Sequence, residues 1–328
     1  MRLVGLLVCL LTACGFSVSG AQADDTPGSD AGNDAGDAGH DGSDSMVTST
    51  CMERWMAHTI RFTAPTAMTT INSMSFDRDP FITTDEKSLL LSSGRPLTGG
   101  GLPAGGADIF ISTRANVTDP WPAPQRFAPF STTSYDGKCS MALDDSVVFV
   151  TNGLSTEEDI YTANLVAGSW TSLTEQYLVS VDTFAHDFDA FISADALRLY
   201  WAPADTGVPQ HIAVAKRATA TDSFGAPSPI AELNAGPADG DPTLTPDQRL
   251  LLFYSRRVIS GQSVGAADIW YATRDAVDST FTYVGIVPDI NSTDDDGDPH
   301  ISADGCHIWF GRHEPTTDWD LYEAAATP

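Results

Sequence analysis

Aspartate is the residue of chemical interest that recurs most regularly in this sequence. Its copies stand before a proline, at the tip of a turn, or just ahead of an apolar strand: Asp79, Asp85, Asp108, Asp144, Asp159, Asp195, Asp241, Asp247, Asp268, Asp298, Asp304 and Asp320. Two carboxylates flanking a glycosidic bond can hydrolyse it, and several together can hold a hard cation. Because Asp side chains commonly bond to the backbone of their own turn, we interpret all of these as turn and cap residues and predict no catalytic residue.

Two patterns near the end of the chain could bind a metal ion. The acidic run from Asn291 to Asp298 has carboxylates and carbonyls of the kind that Ca²⁺ takes, although we favour a plain acidic loop. His300 and His307 could join Asp298 if their rings faced each other across a hairpin. Gly305 favours a three-residue turn that would put the rings on opposite faces. We therefore predict no cofactor, keep Ca²⁺ as the weaker alternative, and assign no metal site.

Basic residues form a second recurring set. Arginines follow the predicted second strand of three repeats, at Arg95, Arg256, Arg257 and Arg312. A ring of guanidinium groups could bind an anion, but we expect these arginines to pair with aspartates of neighbouring turns. The string G-x-S-x-G at 261–265 matches a hydrolase motif that needs a strand-to-helix elbow, and here it lies in a loop between strands.

The segments that carry these residues repeat along the chain. The fullest copy begins with DPTLTPD at 241–247, continues with LLLFYS at 250–255 and ends with ADIWYAT at 267–273. The turn aspartates of five such copies are separated by 59, 51, 52 and 57 residues. Repeats of this length indicate a fold made of similar stacked units.

Each copy predicts a four-stranded antiparallel meander. The second strand is apolar on both faces and must be covered on both sides, so the units have to stack on one another. Radial stacking of such units gives a β-propeller, and we predict an all-β propeller of five four-stranded blades. The last copy lacks a fourth strand, whereas residues 61–73 mirror 280–292. The N-terminal segment is therefore expected to close the last blade, and six blades would need further strands within 51–63.

The copies resemble the TolB-like, WD-repeat-like propeller repeat, whose core reads D-P-x-[IL]-S-x-D-G, then an apolar strand, then D-[IL]-[WY]. The resemblance covers about 265 residues, from Phe62 to Ala325. It is specific for the fold but weak for function, because the family hosts many binding roles. The chain departs from the pattern where Cys139 and Ala190 replace the proline, and where His211 replaces the aspartate before a third strand.

The N-terminal residues have the pattern of an export signal. Residues 1–13 contain one cation and an apolar run that is too short to span a bilayer. The string Leu11–Cys14 followed by Gly15 resembles a bacterial lipobox, which predicts a lipidated Cys14; an ordinary signal cleaved near Ala23 is the alternative. Residues 14–50 are rich in Asp and Gly and predict a disordered tether, and residues 51–328 form the predicted propeller domain.

The charge excludes some classes of partner. The formal net charge of the chain is −27. Seven acidic residues and Arg2 lie in the first fifty positions, so the rest of the chain has 37 acidic and 16 basic residues, a net charge of −21. Such a domain cannot bind nucleic acid through a basic footprint or an anionic membrane through its charge.

The cysteines suggest a bond across the predicted closure. Cys51, Cys139 and Cys306 remain once the predicted signal is removed and Cys14 is acylated. Cys51 precedes the closing strand and Cys306 begins the second strand of the blade that it closes. We therefore hypothesise a Cys51–Cys306 disulfide, which an exported protein can keep, and a buried free Cys139.

These observations predict a monomeric, non-catalytic binding or scaffolding propeller, exported and held by lipid on a bacterial membrane, in the outer membrane or at its periplasmic face. Its expected partners are envelope proteins or glycans bound by loops at one mouth of the ring. The alternative is a carbohydrate-binding or glycoside-hydrolase propeller. A sugar binder should expose aromatic platforms, for which Trp121, Trp170 and Trp319 are candidates.

Overall fold

The computed structural model describes residues 50–143, 146–151, 159–167, 169–171, 174, 178, 180–181, 186–205 and 207–328. The predicted signal, Cys14, the tether up to residue 49, and Asp144 lie outside these residues and stay predictions. Within the described part, no helix is long and apolar enough to cross a bilayer.

Five antiparallel sheets of four strands are present in the described residues. The strands are β1 (Thr66–Ala67), β2 (Asp77–Ile82), β3 (Ser88–Ser93), β4 (Asp108–Thr113), β5 (Gln125–Arg126), β6 (Asp136–Met141), β7 (Ser146–Thr151), β8 (Asp159–Val166), β9 (Ser169–Trp170), β10 (His186–Ile192), β11 (Arg198–Ala204), β12 (Ala213–Lys216), β13 (Ser228–Pro229), β14 (Asp239–Leu244), β15 (Leu250–Ser255), β16 (Asp268–Thr273), β17 (Tyr283–Ile286), β18 (Asp296–Ile301), β19 (His307–Glu314) and β20 (Asp318–Ala325). Helix α1 (Cys51–Met56) precedes them, and 3₁₀ turns cover Ala104–Gly106 and Ala128–Phe130.

The sheets surround a common axis. Sheets 1 to 4 are β2–β5, β6–β9, β10–β13 and β14–β17 in order, and sheet 5 is β18-β19-β20-β1. The first strands β2, β6, β10, β14 and β18 each contact the next and close a ring. The predicted β-propeller fold is thereby confirmed. We call the face where the first strands begin the upper face; it also carries the loops between second and third strands. The opposite face is the lower face.

The core lies between the sheets, as the apolar second strands require. In sheet 4, Leu250, Leu251, Leu252 and Phe253 are all fully buried. Side chains that alternate along this strand enter two different clusters. Leu251 and Phe253 pack in one cluster, and Leu250 and Leu252 in another with the residues of sheet 5. Burial on both faces ties each sheet to its neighbours.

The N-terminal segment closes sheet 5. Strand β1 pairs with β20, with Thr66 opposite Glu323 and Ala67 opposite Tyr322. Asn72 then accepts a bond from Leu321 N at 2.8 Å and donates one to Leu321 O at 3.0 Å. The same side-chain clamp joins Asn291 to Ile269, at 2.6 and 3.1 Å. The seam between the N-terminal segment and sheet 5 therefore has the same hydrogen bonds as the contact of Asn291 with sheet 4.

The hypothesised disulfide lies beside this seam. Cys51 and Cys306 are bonded, and Cys139 is buried and free. Trp55 of α1 is fully buried and donates its indole N–H to Gly305 O at 2.9 Å. The helix thus packs over the hairpin between β18 and β19, next to the closing strand.

The lower face carries the turn aspartates. In the four fully described hairpins between a first and a second strand, Asp Oδ1 accepts from the backbone N–H two residues ahead, as Asp85 does from Lys87 at 3.1 Å and Asp247 from Arg249 at 3.1 Å. Asp195 and Asp304 make the same bond, to Leu197 at 3.0 Å and Cys306 at 2.9 Å. These four have the geometry of turn residues.

Candidate functional site

Each first strand begins with the same three-residue arrangement. It reads Asp-x-Asp at 77–79, 187–189, 239–241 and 296–298, and Asp-x-Lys at 136–138. The first aspartate of each is almost fully buried, and four of the five hold the loop that enters their sheet. Asp77 accepts from Ser73 N at 2.6 Å, Asp136 from Thr132 N at 2.5 Å, and Asp239 from Gly236 N at 2.9 Å.

The arginines that follow the second strands pair with aspartates, as expected, and three of them bind these first aspartates. Arg95 pairs with Asp77 at 2.5 Å, Arg257 with Asp239 at 2.8 Å and Arg312 with Asp296 at 2.7 Å. The fourth, Arg256, pairs with Asp295 at 3.0 Å near the surface. Guanidinium groups held in this way brace the upper ends of the sheets and are not available as an anion site.

The residues ahead of the third strands hold loops or lie inside strands. Asp108 pairs with Arg126 at 2.5 Å, and Asp268 accepts from the backbone of Val264 and Gly265, each at 3.1 Å. Asp159 begins β8, and Asp320 lies within β20 opposite Arg312.

The third residue of each arrangement has a role that the sequence analysis missed. Asp79, Asp241 and Asp298 were expected to be turn or cap residues, and the structure corrects this. With Asp189, they lie at bulges in the first strands with φ of 56°, 51°, 49° and 58°, a conformation that Asp tolerates better than most residues. The bulge directs their side chains to the propeller axis.

Carboxylates from four sheets meet on the axis. One oxygen from each of Asp79, Asp189 and Asp241 lies within 4.8 Å of the others. Asp298 donates its backbone N–H to Asp241 Oδ2 at 3.1 Å. Arg78 reaches Asp79 and Asp298, each at 3.4 Å. We call Asp79, Asp189, Asp241 and Asp298 the axial aspartates.

The crowding of these acids changes their protonation. Burial, followed by the Asp241 carboxylate, raises the pKa of Asp189 well above its ordinary value. Burial also raises the pKa of Asp298, against the attraction of Arg78. Lys138 and the hydrogen bond from Asp189 lower the pKa of Asp241, despite its burial. Asp189 therefore holds a proton more readily than Asp241, as expected of two crowded carboxyl groups that titrate as a pair.

The axial aspartates are closed off from large molecules. Asp79, Asp241 and Asp298 expose 3%, 6% and 1% of their surface, and Asp189 is partly exposed. Below them, the axis is filled by Phe81, Phe191, Leu244 and His300, which leave a space of about 40 Å³. Water can enter such a space, but a sugar cannot.

A larger cleft opens beside the axis on the upper face. It has a volume of about 550 Å³ and lies between sheets 1 and 5. Phe76 and Leu102 line it from loops at the upper end of sheet 1, and residues 313–318 line it from the hairpin of β19 and β20. The Glu314 carboxylate there accepts from Tyr322 Oη at 2.5 Å.

Exposed apolar side chains gather on this same face. Met74, Leu102 and Val258 expose 88%, 71% and 86% of their surface, and Val208, Ile259 and Val264 are also exposed there. All six stand in loops that enter a first strand or join a second to a third. Large apolar groups concentrated on one face mark an interaction surface more strongly than scattered ones.

The residues considered as metal ligands in the sequence are not brought together in the structure. His300 lies opposite Trp309, so both histidines are on one face of the hairpin, which corrects the expected opposite faces. His300 is nevertheless buried and His307 exposed, with the Trp309 ring 6.1 and 5.8 Å from theirs. The carboxylates of the acidic run do not face a common point, because Asp295 accepts from Arg256 and Asp296 accepts from Arg312.

The three tryptophans considered as sugar-binding platforms pack against other side chains of the protein. Trp121 is 6% exposed beneath the Arg114 guanidinium, 4.0 Å away. Trp170 packs on Phe130 at 4.9 Å, and Trp319 is half-buried with Arg78 5.6 Å from its ring. None of the three is fully exposed.

Comparison with solved structures identifies propellers of several activities. The chain is similar to an α-L-arabinofuranosidase from Lactobacillus brevis (14% identity, 78% of this chain and 93% of that one, TM-score 0.51) and to a thermostable family-43 glycoside hydrolase (13%, 80% and 92%, 0.51). It is also similar to TolB from Acinetobacter baumannii (14%, 74% and 53%, 0.46), of which it spans about half the length. No protein-family model and no curated protein matches the chain. At these identities the likeness establishes the β-propeller fold alone.

Proposed function

We propose that this chain is a non-catalytic binding propeller of the bacterial cell envelope. It is exported and held at the membrane through a lipidated Cys14, and its upper face binds a protein partner. The partner presents apolar and basic side chains to the cleft between sheets 1 and 5.

The observation that carries this proposal is that large molecules cannot reach the axial aspartates. A glycosidase needs two carboxyl groups about 5–9.5 Å apart, with the sugar between them. Here the oxygens of three axial aspartates lie within 4.8 Å of one another, and three of the four side chains are buried. A sugar ring has no room to enter, so the glycoside-hydrolase alternative is disfavoured.

The cleft and its surroundings support the choice of partner. Leu102 and Met74 provide exposed apolar surface at or near it, and Glu314 and Asp318 provide acidic groups. The domain as a whole carries a net charge of −21, from 37 acidic and 16 basic residues. Charge of this sign favours the approach of a basic partner.

Site-specific crosslinking in the native envelope tests the proposal. A photoreactive residue replaces Leu102 at the cleft or, as the matched control, Val117, which is 49% exposed on the lower face. We expect a discrete protein adduct from position 102, identified by mass spectrometry, and none from position 117.

Two results would contradict the proposal. Equal adducts from both positions would mean that the upper face is not the binding face. Release of arabinose from arabinan by the purified protein, lost in Asp79→Asn, would establish the glycosidase alternative.

A further inference from the structure

We propose that the axial aspartates bind one Ca²⁺ ion, held by carboxylate oxygens of Asp79, Asp189 and Asp241 between sheets 1, 3 and 4. This site is distinct from the acidic run at 291–298 and from the cleft of the proposed function.

The spacing of the oxygens fits this ion. Ca²⁺ takes oxygen ligands at about 2.3–2.6 Å, so two ligands on opposite sides of it lie about 4.8 Å apart. One oxygen from each of the three carboxylates falls within that 4.8 Å span. Mg²⁺ requires ligands near 2.1 Å and keeps several of its waters, which a buried cluster of this size does not favour.

Orphaned buried atoms point to a missing positive partner. Asp79 Oδ1 and Asp298 Oδ2 have no hydrogen-bond partner, although these residues expose only 3% and 1% of their surface. Buried carboxylate oxygens without a partner are rare in folded proteins, because desolvation is then uncompensated. Lys138 Nζ is buried close by and also bonds to none of the carboxylates.

The formal charges support a divalent ion. The four axial aspartates face two basic side chains, Arg78 and Lys138. With all four carboxyl groups deprotonated the balance is two negative charges, which one Ca²⁺ neutralises when it displaces the protons that the crowded acids otherwise hold. Asp189 is partly exposed, so solvent reaches one of the proposed ligands.

Calcium titration of the full-length protein tests the site. The protein is first stripped with EDTA, and binding is then followed by calorimetry and by the melting temperature. We expect one Ca²⁺ per chain, a melting temperature that rises with Ca²⁺ and falls again with EDTA, and binding at least tenfold weaker in Asp241→Asn and in Asp189→Asn. The control Asp294→Asn, in the exposed part of the acidic run, should bind as the wild type does.

Several outcomes would overturn the proposal. These are no binding at about 1 mM Ca²⁺, the weak end of the range for calcium modules, unchanged binding in Asp189→Asn, or binding lost in Asp294→Asn. If Asp241→Asn does not fold, Asp189→Asn decides the matter, because its side chain is only partly buried.

Discussion

At the scale of the residue, aspartate has three different roles set by its position in the repeat. Asp85 and its equivalents hold hairpin turns, Asp239 and its equivalents bind loop N–H groups and arginines, and Asp241 and its equivalents meet on the axis. The recurrence of Asp-Pro in the sequence indicated that residues of the third group occupy equivalent positions in the repeats. Asp189 and Lys138 occupy the same place before Ala190 and Cys139, so alignment of the repeats could have identified them.

The buried Arg257–Asp239 pair should contribute strongly to stability. Arg257→Leu leaves the Asp239 carboxylate buried without its cation, and we expect the free energy of unfolding to fall by about 3 kcal/mol. The neighbouring Arg256 is half exposed, and Arg256→Leu should cost less than about 1 kcal/mol. Chemical denaturation of both variants measures the difference, and equal losses would contradict this role.

His300 should make the fold sensitive to acid. Burial, followed by nearby Lys138, lowers the pKa of His300 to about 3. The folded state therefore prefers the neutral ring. The stability due to this preference is complete above the ordinary pKa near 6.5 and is lost as the pH falls towards 3. His300→Phe should flatten the fall in stability over that range, whereas the exposed His307→Phe should not. Denaturation curves at several pH values check this, and identical profiles would refute it.

At the scale of the element, sheet 5 is closed by a strand from the far end of the chain. Short β1 contributes two paired residues, so the clamp of Asn72 on Leu321 and the Cys51–Cys306 bond reinforce it. The mirrored segments 61–73 and 280–292 predicted the closing strand. The double hydrogen bond of the asparagine side chain was not predicted, because its partner at the seam is 249 residues away.

The asparagine clamps should be energetically equivalent. Asn72→Ala and Asn291→Ala each leave one backbone N–H of a third strand without a partner, whereas the carbonyl oxygens keep their bonds from Met68 N and Val287 N. Each change should cost about 1–3 kcal/mol. Urea unfolding of the two variants tests whether the seam is as ordered as an internal junction. If Asn72→Ala leaves the free energy of unfolding unchanged and Asn291→Ala lowers it, the seam is less ordered than the internal junction.

The disulfide should stabilise the closed ring. Cys51 and Cys306 are 255 residues apart in the chain, and removing a bond across so long a loop should cost about 2–5 kcal/mol. We expect Cys306→Ser to lower the melting temperature, and reductant to lower that of the wild type but not that of the variant. A wild-type melting temperature that ignores reductant would contradict this.

At the scale of the whole molecule, the excess of acid works against the compact state. The chain has 44 acidic and 17 basic residues, and screening shortens the reach of their repulsion to about 10 Å at 0.1 M salt. Raising NaCl from low ionic strength, with EDTA present, should therefore raise the melting temperature by a few degrees. KCl should act equally, and a fall with either salt would show that attractive pairs dominate.

The sequence by itself determined the repeat, the propeller fold, the turn aspartates and the segment that closes the ring. These depend on apolar periodicity and turn chemistry within one unit of about fifty residues. Only the tertiary structure decided that Asp79, Asp189, Asp241 and Asp298 meet, that three of the four arginines pair within their own sheets, and that the upper face carries the cleft. Each of these depends on side-chain direction at a bulge and on contacts between sheets, and the order of residues in a single repeat specifies neither.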